Sequence, residues 1–168
     1  MITKSTPLKE VIKLGKVCHQ KNNCCKYGSG CLVKGDVERI AKFLDITVKE
    51  LKDKYLEDVE KFNTKLFRPR LLRKKDRPYG KCIFLNEQGC KIHEVKPLEC
   101  RIGNCGTHGE ELSKWFMINY LINSDDPESV RQYAIFAKSN KTLKGGELEN
   151  IVPDKKKLKE ILEFRILR

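Results

Sequence analysis

Apolar residues recur at helical spacing along most of this chain, and at strand-like spacing only around residues 82–93. Over residues 5–17, Leu8, Val11, Ile12 and Leu14 form one stripe, with Ser5 or Thr6 as a cap and Pro7 suited to a first turn. Asp36 caps a second helix that buries Val37, Ile40, Ala41, Phe43 and Leu44. Thr47 and Glu50 form a capping box that starts a third, with Val48, Leu51, Tyr55, Leu56 and Val59 inward. This helix pair reads as core rather than as a helix-turn-helix, because it has no polar recognition surface. Beyond residue 106, Leu112, Trp115, Phe116, Ile118, Tyr120, Leu121 and Ile122 make a helix buried on more than one face. Asp126-Pro127-Glu128 opens a fifth helix through Ala137. Gly145-Gly146 breaks the chain, and Val152-Pro153-Asp154 starts a last helix with Leu158, Ile161, Leu162, Arg165 and Ile166 on one side. Its Lys155, Lys156, Lys157 and Lys159 point outward into solvent.

The strand-like stretch predicts one hairpin. Cys82-Ile-Phe-Leu85 supplies β-branched and aromatic residues, Asn86 to Gly89 the turn, and Cys90-Lys-Ile-His93 the returning strand. Cys82 and Cys90 then face each other across the strands. Lys96-Pro97-Leu98-Glu99 turns the chain, and Cys100 rides on the helical turn that follows. The expected fold is mostly α with a small β-hairpin, an α+β class. A chain of 168 residues suits a single domain over 1–168, with a cysteine-cluster core at about 18–105 and a helical part at 106–168.

Eight cysteines change the picture from fold to chemistry. The amino terminus has no apolar signal core and no run of about 18 apolar residues occurs, so a cytoplasmic, reducing location is expected and no membrane partner. Thiols there serve as ligands more readily than as disulfides. A composition heavy in Lys, Glu and Ile also suits an intracellular hyperthermophile protein, for which a disulfide framework is the alternative. No Cys-x-x-Cys is present, which argues against a zinc ribbon and a thioredoxin-type pair. The remaining possibility is a site built from distant segments: Cys82, Cys90 and Cys100 with one or both of Cys24 and Cys25, leaving Cys18, Cys31 and Cys105 for a second role. Four thiolates suit an iron-sulfur cluster or zinc. Cys24 and Cys25 on an extended backbone would point to opposite sides and not chelate one ion together. His93 on a strand would face away from Cys90, with metal ligation as its alternative; His108, three after Cys105, reads as part of a helix start, with metal ligation or a general acid-base pairing to Glu110 or Glu111 as the alternatives.

The order Cys24-Cys25, then Cys82-Ile-Phe-Leu, Gly89-Cys-Lys-Ile-His93 and Lys96-Pro-Leu-Glu-Cys-Arg101 resembles the YkgJ-like cysteine-cluster family, a zinc- or iron-chelating domain. The resemblance covers roughly residues 18–105 and implies metal-ligand roles for Cys24, Cys25, Cys82, Cys90 and Cys100. It implies no settled reaction. The family is similar to the cysteine-rich part of flagellin lysine methylases, which favours iron-sulfur chemistry, a 4Fe-4S cluster, over zinc. Two departures stand out: the usual Cys-x-x-Cys before the double cysteine is replaced by Cys18 and five intervening residues, and the usual Arg-Pro is Lys96-Pro97.

The net charge of +12, from 35 Lys and Arg against 23 Asp and Glu, adds an anionic partner to the reading. It concentrates between Arg68 and Pro78, where Arg68, Arg70, Arg73, Lys74 and Lys75 are candidates to bind RNA, a small anion or an acidic protein near the metal. A solvated edge guarded by charge is the alternative. The chain has no phosphate-binding glycine loop, dinucleotide fingerprint or serine-nucleophile elbow, and too little length beside the cysteines for a doubly wound methyltransferase sheet. The sequence therefore points to a metal-binding protein in electron transfer or cluster-assisted modification. The alternative is a structural-zinc module whose basic surface binds RNA or an acidic protein.

Overall fold

The computed structural model describes residues 1–16 and 23–167. In chain order they form helices α1 (Leu8–Gly15), α2 (Asn23–Tyr27), α3 (Asp36–Phe43) and α4 (Val48–Tyr55), then strands β1 (Leu56–Lys61), β2 (Thr64–Pro69), β3 (Leu71–Arg73), β4 (Gly80–Cys82), β5 (Leu85–Asn86) and β6 (Gly89–Cys90). A 3-10 turn (His93–Val95) leads to α5 (Leu98–Ile102) and α6 (Gly109–Phe116), which continues as a π-helical turn (Met117–Leu121). Helices α7 (Pro127–Ser139), α8 (Leu148–Ile151) and α9 (Lys155–Leu162) complete the chain. The fold class is α+β, as the pattern predicts.

Three of the caps read from sequence act as caps, whereas α1 begins after Pro7 with no side-chain cap, so neither Ser5 nor Thr6 serves there as expected. Thr47 accepts the Glu50 N–H at 3.0 Å, Asp126 that of Glu128 at 3.0 Å and Asp154 that of Lys157 at 3.0 Å. Asp36 differs. It is the first residue of α3, nearly fully buried, and its carboxylate accepts from Val33 N and Leu98 N at 3.0 Å each while pairing with Arg39 at 2.7 Å. Arg39 also donates to the Lys96 carbonyl at 3.0 Å, so α3 grips both sides of the turn that starts α5.

The strand content departs from the expected single hairpin. The third helix stops at Tyr55, and Leu56 to Lys61 pair antiparallel with Thr64 to Pro69 around a two-residue turn in which Phe62 and Asn63 both have positive φ. No glycine marks that turn, so it lacks the ordinary hairpin signature. Cys82 closes a separate ladder opposite Leu71, and the hairpin after it is reduced to Leu85 opposite Cys90 and Asn86 opposite Gly89. Cys82 and Cys90 are thus not cross-strand partners.

Two apolar clusters form. One joins Val11, Ile102, Leu112, Trp115, Phe116, Val130 and Tyr133 with α9 residues Leu158 and Ile161. The other gathers Leu32, Ile40, Leu51, Leu56, Phe84 and Ile92 around Cys82, with Cys25 and Cys90 packed on its edge. Here Tyr55 stacks on Phe84 with ring centroids 5.5 Å apart. Cys82 is thus part of this second core, with Cys25 and Cys90 at its margin.

Candidate metal centre

Each cysteine reaches the centre on a different kind of element. Cys24 and Cys25 sit on the short helix α2, which packs against β4. The following loop is pinned to β2, with Ser29 donating to the Pro69 carbonyl at 2.5 Å and Leu32 N–H to the Phe67 carbonyl at 2.8 Å. This docking brings Gly30 against α5, where its N–H donates to the Cys100 thiol. Cys82 ends β4, with its thiol accepting from the backbone N–H groups of Phe84 and Leu85. Cys90 ends β6 opposite Leu85, and Cys100 lies in the middle of α5.

The thiols are close enough to perturb one another. Cys25 is raised first by its hydrogen bond with Cys24, then by burial and by the charges of Cys24, Cys100 and Cys82. The same pairing holds Cys24 down at about 6, with a further push from the Lys96 ammonium. Burial lifts Cys82 to about 11, and the charges of Cys90 and Cys24 add to it. Burial also lifts Cys100, with Glu99, Cys82 and Cys90 contributing in the same direction. Cys24, Cys25, Cys82, Cys90 and Cys100 are therefore one electrostatic group. Several thiolates crowded into an apolar margin repel one another, and a metal cation is the counter-charge that relieves this. The donor set fits a thiophilic metal.

The Cys24 and Cys25 sulfurs lie 3.9 Å apart. This overturns the expectation that they diverge: α2 is helical, so successive side chains turn by about 100° rather than alternating by 180°. No disulfide joins any described cysteines. Among the described residues, no three His, Cys, Asp or Glu side chains stand close enough to hold one ion as they are placed.

A cavity of about 560 Å³ opens beside the group, walled by Cys24, Cys25, Cys90 and Cys100 and by Lys96 and His93. His93 faces this space because residues 93–95 form a 3-10 turn instead of a strand, which corrects the outward placement read from alternation. Burial, then the nearby Lys96 charge, lowers its pKa. Cys105 is exposed at the same cavity's rim. Cys31 is fully buried elsewhere, its N–H donating to Glu99 and its thiol pushed up to about 12 by burial and by Glu99. Cys18 lies outside the described residues. His108 pairs with Glu111 at 3.1 Å, within the first turn of α6.

The basic segment does not wall the cavity. Arg68 and Arg73 hold Glu57 at 2.8 and 2.6 Å, and Arg70 donates to the carbonyls of Asp53 and Leu56 at 3.0 and 3.3 Å. Lys74 and Lys75 stand exposed at the β3–β4 tip. The cation at the thiols is Lys96. Its signal was the replacement of Arg by Lys before Pro97, which the sequence displays but does not explain.

A family model named CxxCxxCC, described as "Putative zinc- or iron-chelating domain", matches residues 17–116, more than half of the chain. The spacing in that name falls on Cys18, Cys24 and Cys25, with Lys21 where the second cysteine would stand. No curated protein and no solved structure matches the chain.

Proposed function

The chain belongs to the CxxCxxCC family of zinc- or iron-chelating domains, and from that premise we propose that it holds an iron-sulfur cluster through Cys82, Cys90, Cys100 and Cys24 or Cys25. The observation that carries this reading is the convergence of thiols from separate elements, Cys24, Cys25, Cys90 and Cys100 walling one cavity and Cys82 close enough to act on Cys25 and Cys100. An all-thiolate set is the ordinary holder of a 4Fe-4S cluster. The adjoining cavity supports a reactive site over a closed structural one, since it leaves room for a molecule beside the metal. A cluster bound there supplies one-electron chemistry, in electron transfer or in a cluster-assisted modification of a substrate. Lys96 offsets the negative charge that the thiolates contribute, and the Gly30, Phe84 and Leu85 N–H groups donate to sulfur, both of which tune the potential of such a group.

One observation favours zinc instead. Two thiolates at about 2.3 Å from a single tetrahedral zinc stand close to the 3.9 Å found between Cys24 and Cys25. Anaerobic purification followed by iron, zinc and acid-labile sulfide analysis and a visible spectrum separates the readings. A brown protein with iron and sulfide in equal amounts is expected. A colourless protein with stoichiometric zinc overturns the cluster. Loss of the metal in Cys90→Ser and Cys100→Ser, but not in Cys31→Ser, is expected in either case.

A further inference from the structure

Near the metal centre, at the end of α2 and just before β4, the surface carries a feature that does not line the cavity at the thiols. Tyr27, two residues after Cys25, is 65% exposed, and Tyr79, three before Cys82, is 43% exposed. Their rings meet edge to face at 6.1 Å between centroids and 67° between planes. An edge-on contact leaves ring faces open to solvent. The Arg77 guanidinium lies 5.7 Å over the Tyr79 ring and donates to its hydroxyl at 3.2 Å, so the flat cation extends the aromatic platform. Leu72, 51% exposed on β3, adds apolar surface opposite Lys81.

Charge surrounds the platform with little to neutralise it. Between Arg68 and Lys81 the only acidic residue is Asp76. Glu57 of β1 consumes Arg68 and Arg73. Among the described residues, Lys26, Lys74, Lys75, Arg77 and Lys81 have no carboxylate partner, and all five are exposed. The turn that carries Lys74, Lys75 and Arg77 is closed by the Arg77 N–H to the Lys74 carbonyl at 3.2 Å, with Asp76 at a φ of 64°. Three cations are thus presented together on a defined hairpin tip.

We propose that Tyr27, Tyr79 and the cations of the β3–β4 tip form a docking surface for single-stranded RNA. Exposed rings are the platform on which unpaired bases stack, and unpaired lysines and arginines beside them meet the backbone phosphates. A duplex hides its base faces and leaves the tyrosines without a role. An acidic protein would meet the cations but has no equivalent reason for two open rings. None of the proposed metal ligands belongs to this surface, so its chemistry is separate from that of the thiols.

The test is fluorescence anisotropy of a labelled single-stranded RNA 12-mer titrated with the anaerobically purified full chain across a salt series. Binding is expected to weaken with salt at a logarithmic slope of about 2 to 3, at about 0.7 per phosphate contact. The triple variant K74A/K75A/R77A should lower that slope by about 2. Tyr27→Ala and Tyr79→Ala should each weaken binding roughly tenfold with the slope unchanged, while Tyr27→Phe and Tyr79→Phe, which keep the ring, should bind as the parent does. No binding at low salt, or tyrosine-to-alanine variants that bind as tightly as the parent, overturns the proposal. So does equal or tighter binding of duplex RNA, of single-stranded DNA of the same sequence, or of a polyglutamate peptide, each of which reassigns the surface to that partner.

Discussion

Gly30 and Gly28 stand two residues apart in one loop, yet only one of them is required to be glycine by its surroundings. A Cβ on Gly30 would lie 2.6 Å from the Cys100 sulfur and 3.0 Å from the Cys100 nitrogen, whereas one on Gly28 would meet only the Cys24 carbonyl at an ordinary 3.7 Å. Gly30→Ala must therefore push Cys100 and α5 away from the loop. Overpacking of this kind costs about 1–3 kcal/mol. We expect chemical denaturation to show that loss for Gly30→Ala together with reduced metal content, and Gly28→Ala to leave both nearly unchanged. Equal behaviour of the two variants would remove the close approach from the account of the site. Nothing local in the sequence distinguishes the two glycines; the selection of Gly30 comes from where α5 lies.

Glu57 performs the equivalent task between elements. From β1 it accepts from Arg68 of β2 at 2.8 Å, from Arg73 of β3 at 2.6 and 2.8 Å and from Leu71 N–H at 3.2 Å. The Arg73 hydrogen bonds, more than any other contribution, hold its carboxyl down at about 2. A carboxylate whose folded pKa is depressed stabilises the fold above its unfolded pKa near 4.5 and loses that contribution as pH falls towards 2. Its size is on the order of 2 kcal/mol, because the carboxyl is mostly shielded while Arg73 is a third exposed. Glu57→Gln should accordingly be less stable than the parent at pH 7, with the gap closing between pH 4.5 and 2. Denaturant midpoints at pH 7, 4 and 2.5 measure it, and a gap that does not change with pH would show that Glu57 acts by packing alone. Arg68 and Arg73 read in sequence as free cations because Glu57 is more than ten positions away, and nothing local announces the pairing.

At the scale of the molecule, α2, β4, β6 and α5 meet at the thiols, and no disulfide joins the described cysteines there. Metal-binding energy is then also folding energy, since the ligand arrangement exists only in the folded chain. Stripping the metal with a chelator under reducing conditions should lower the melting temperature, by about 10 °C for each 3 kcal/mol or so of binding lost. Restoring iron and sulfide, or zinc, should return it. A melting temperature indifferent to metal removal would mean that the two apolar clusters hold these elements without help. Buried contacts already tie several of them, Asp36 to the start of α5 and Leu32 to β2 among them.

The sequence by itself determined most of the longer helices, most of their caps and the kind of chemistry. Helical spacing of large apolar residues and an Asp or Thr before them are local signals, and a sulfur-rich donor set limits the metals that it suits whatever the fold. It determined the family through the order of its cysteines, which is also local information. Tertiary structure decided the rest. The β1–β2 hairpin, which replaces the end of the third expected helix, was not legible because its turn relies on Phe62 and Asn63 in a conformation that side chains seldom choose. Cys24 and Cys25 approach each other because α2 is helical where an extended backbone would have parted them. Lys96 and His93 face the thiols, and the arginines turn to Glu57, through packing between segments tens of residues apart. Spacing along a chain fixes a residue's immediate neighbours, but which distant charge it meets is settled only when the cores form and bring the segments together.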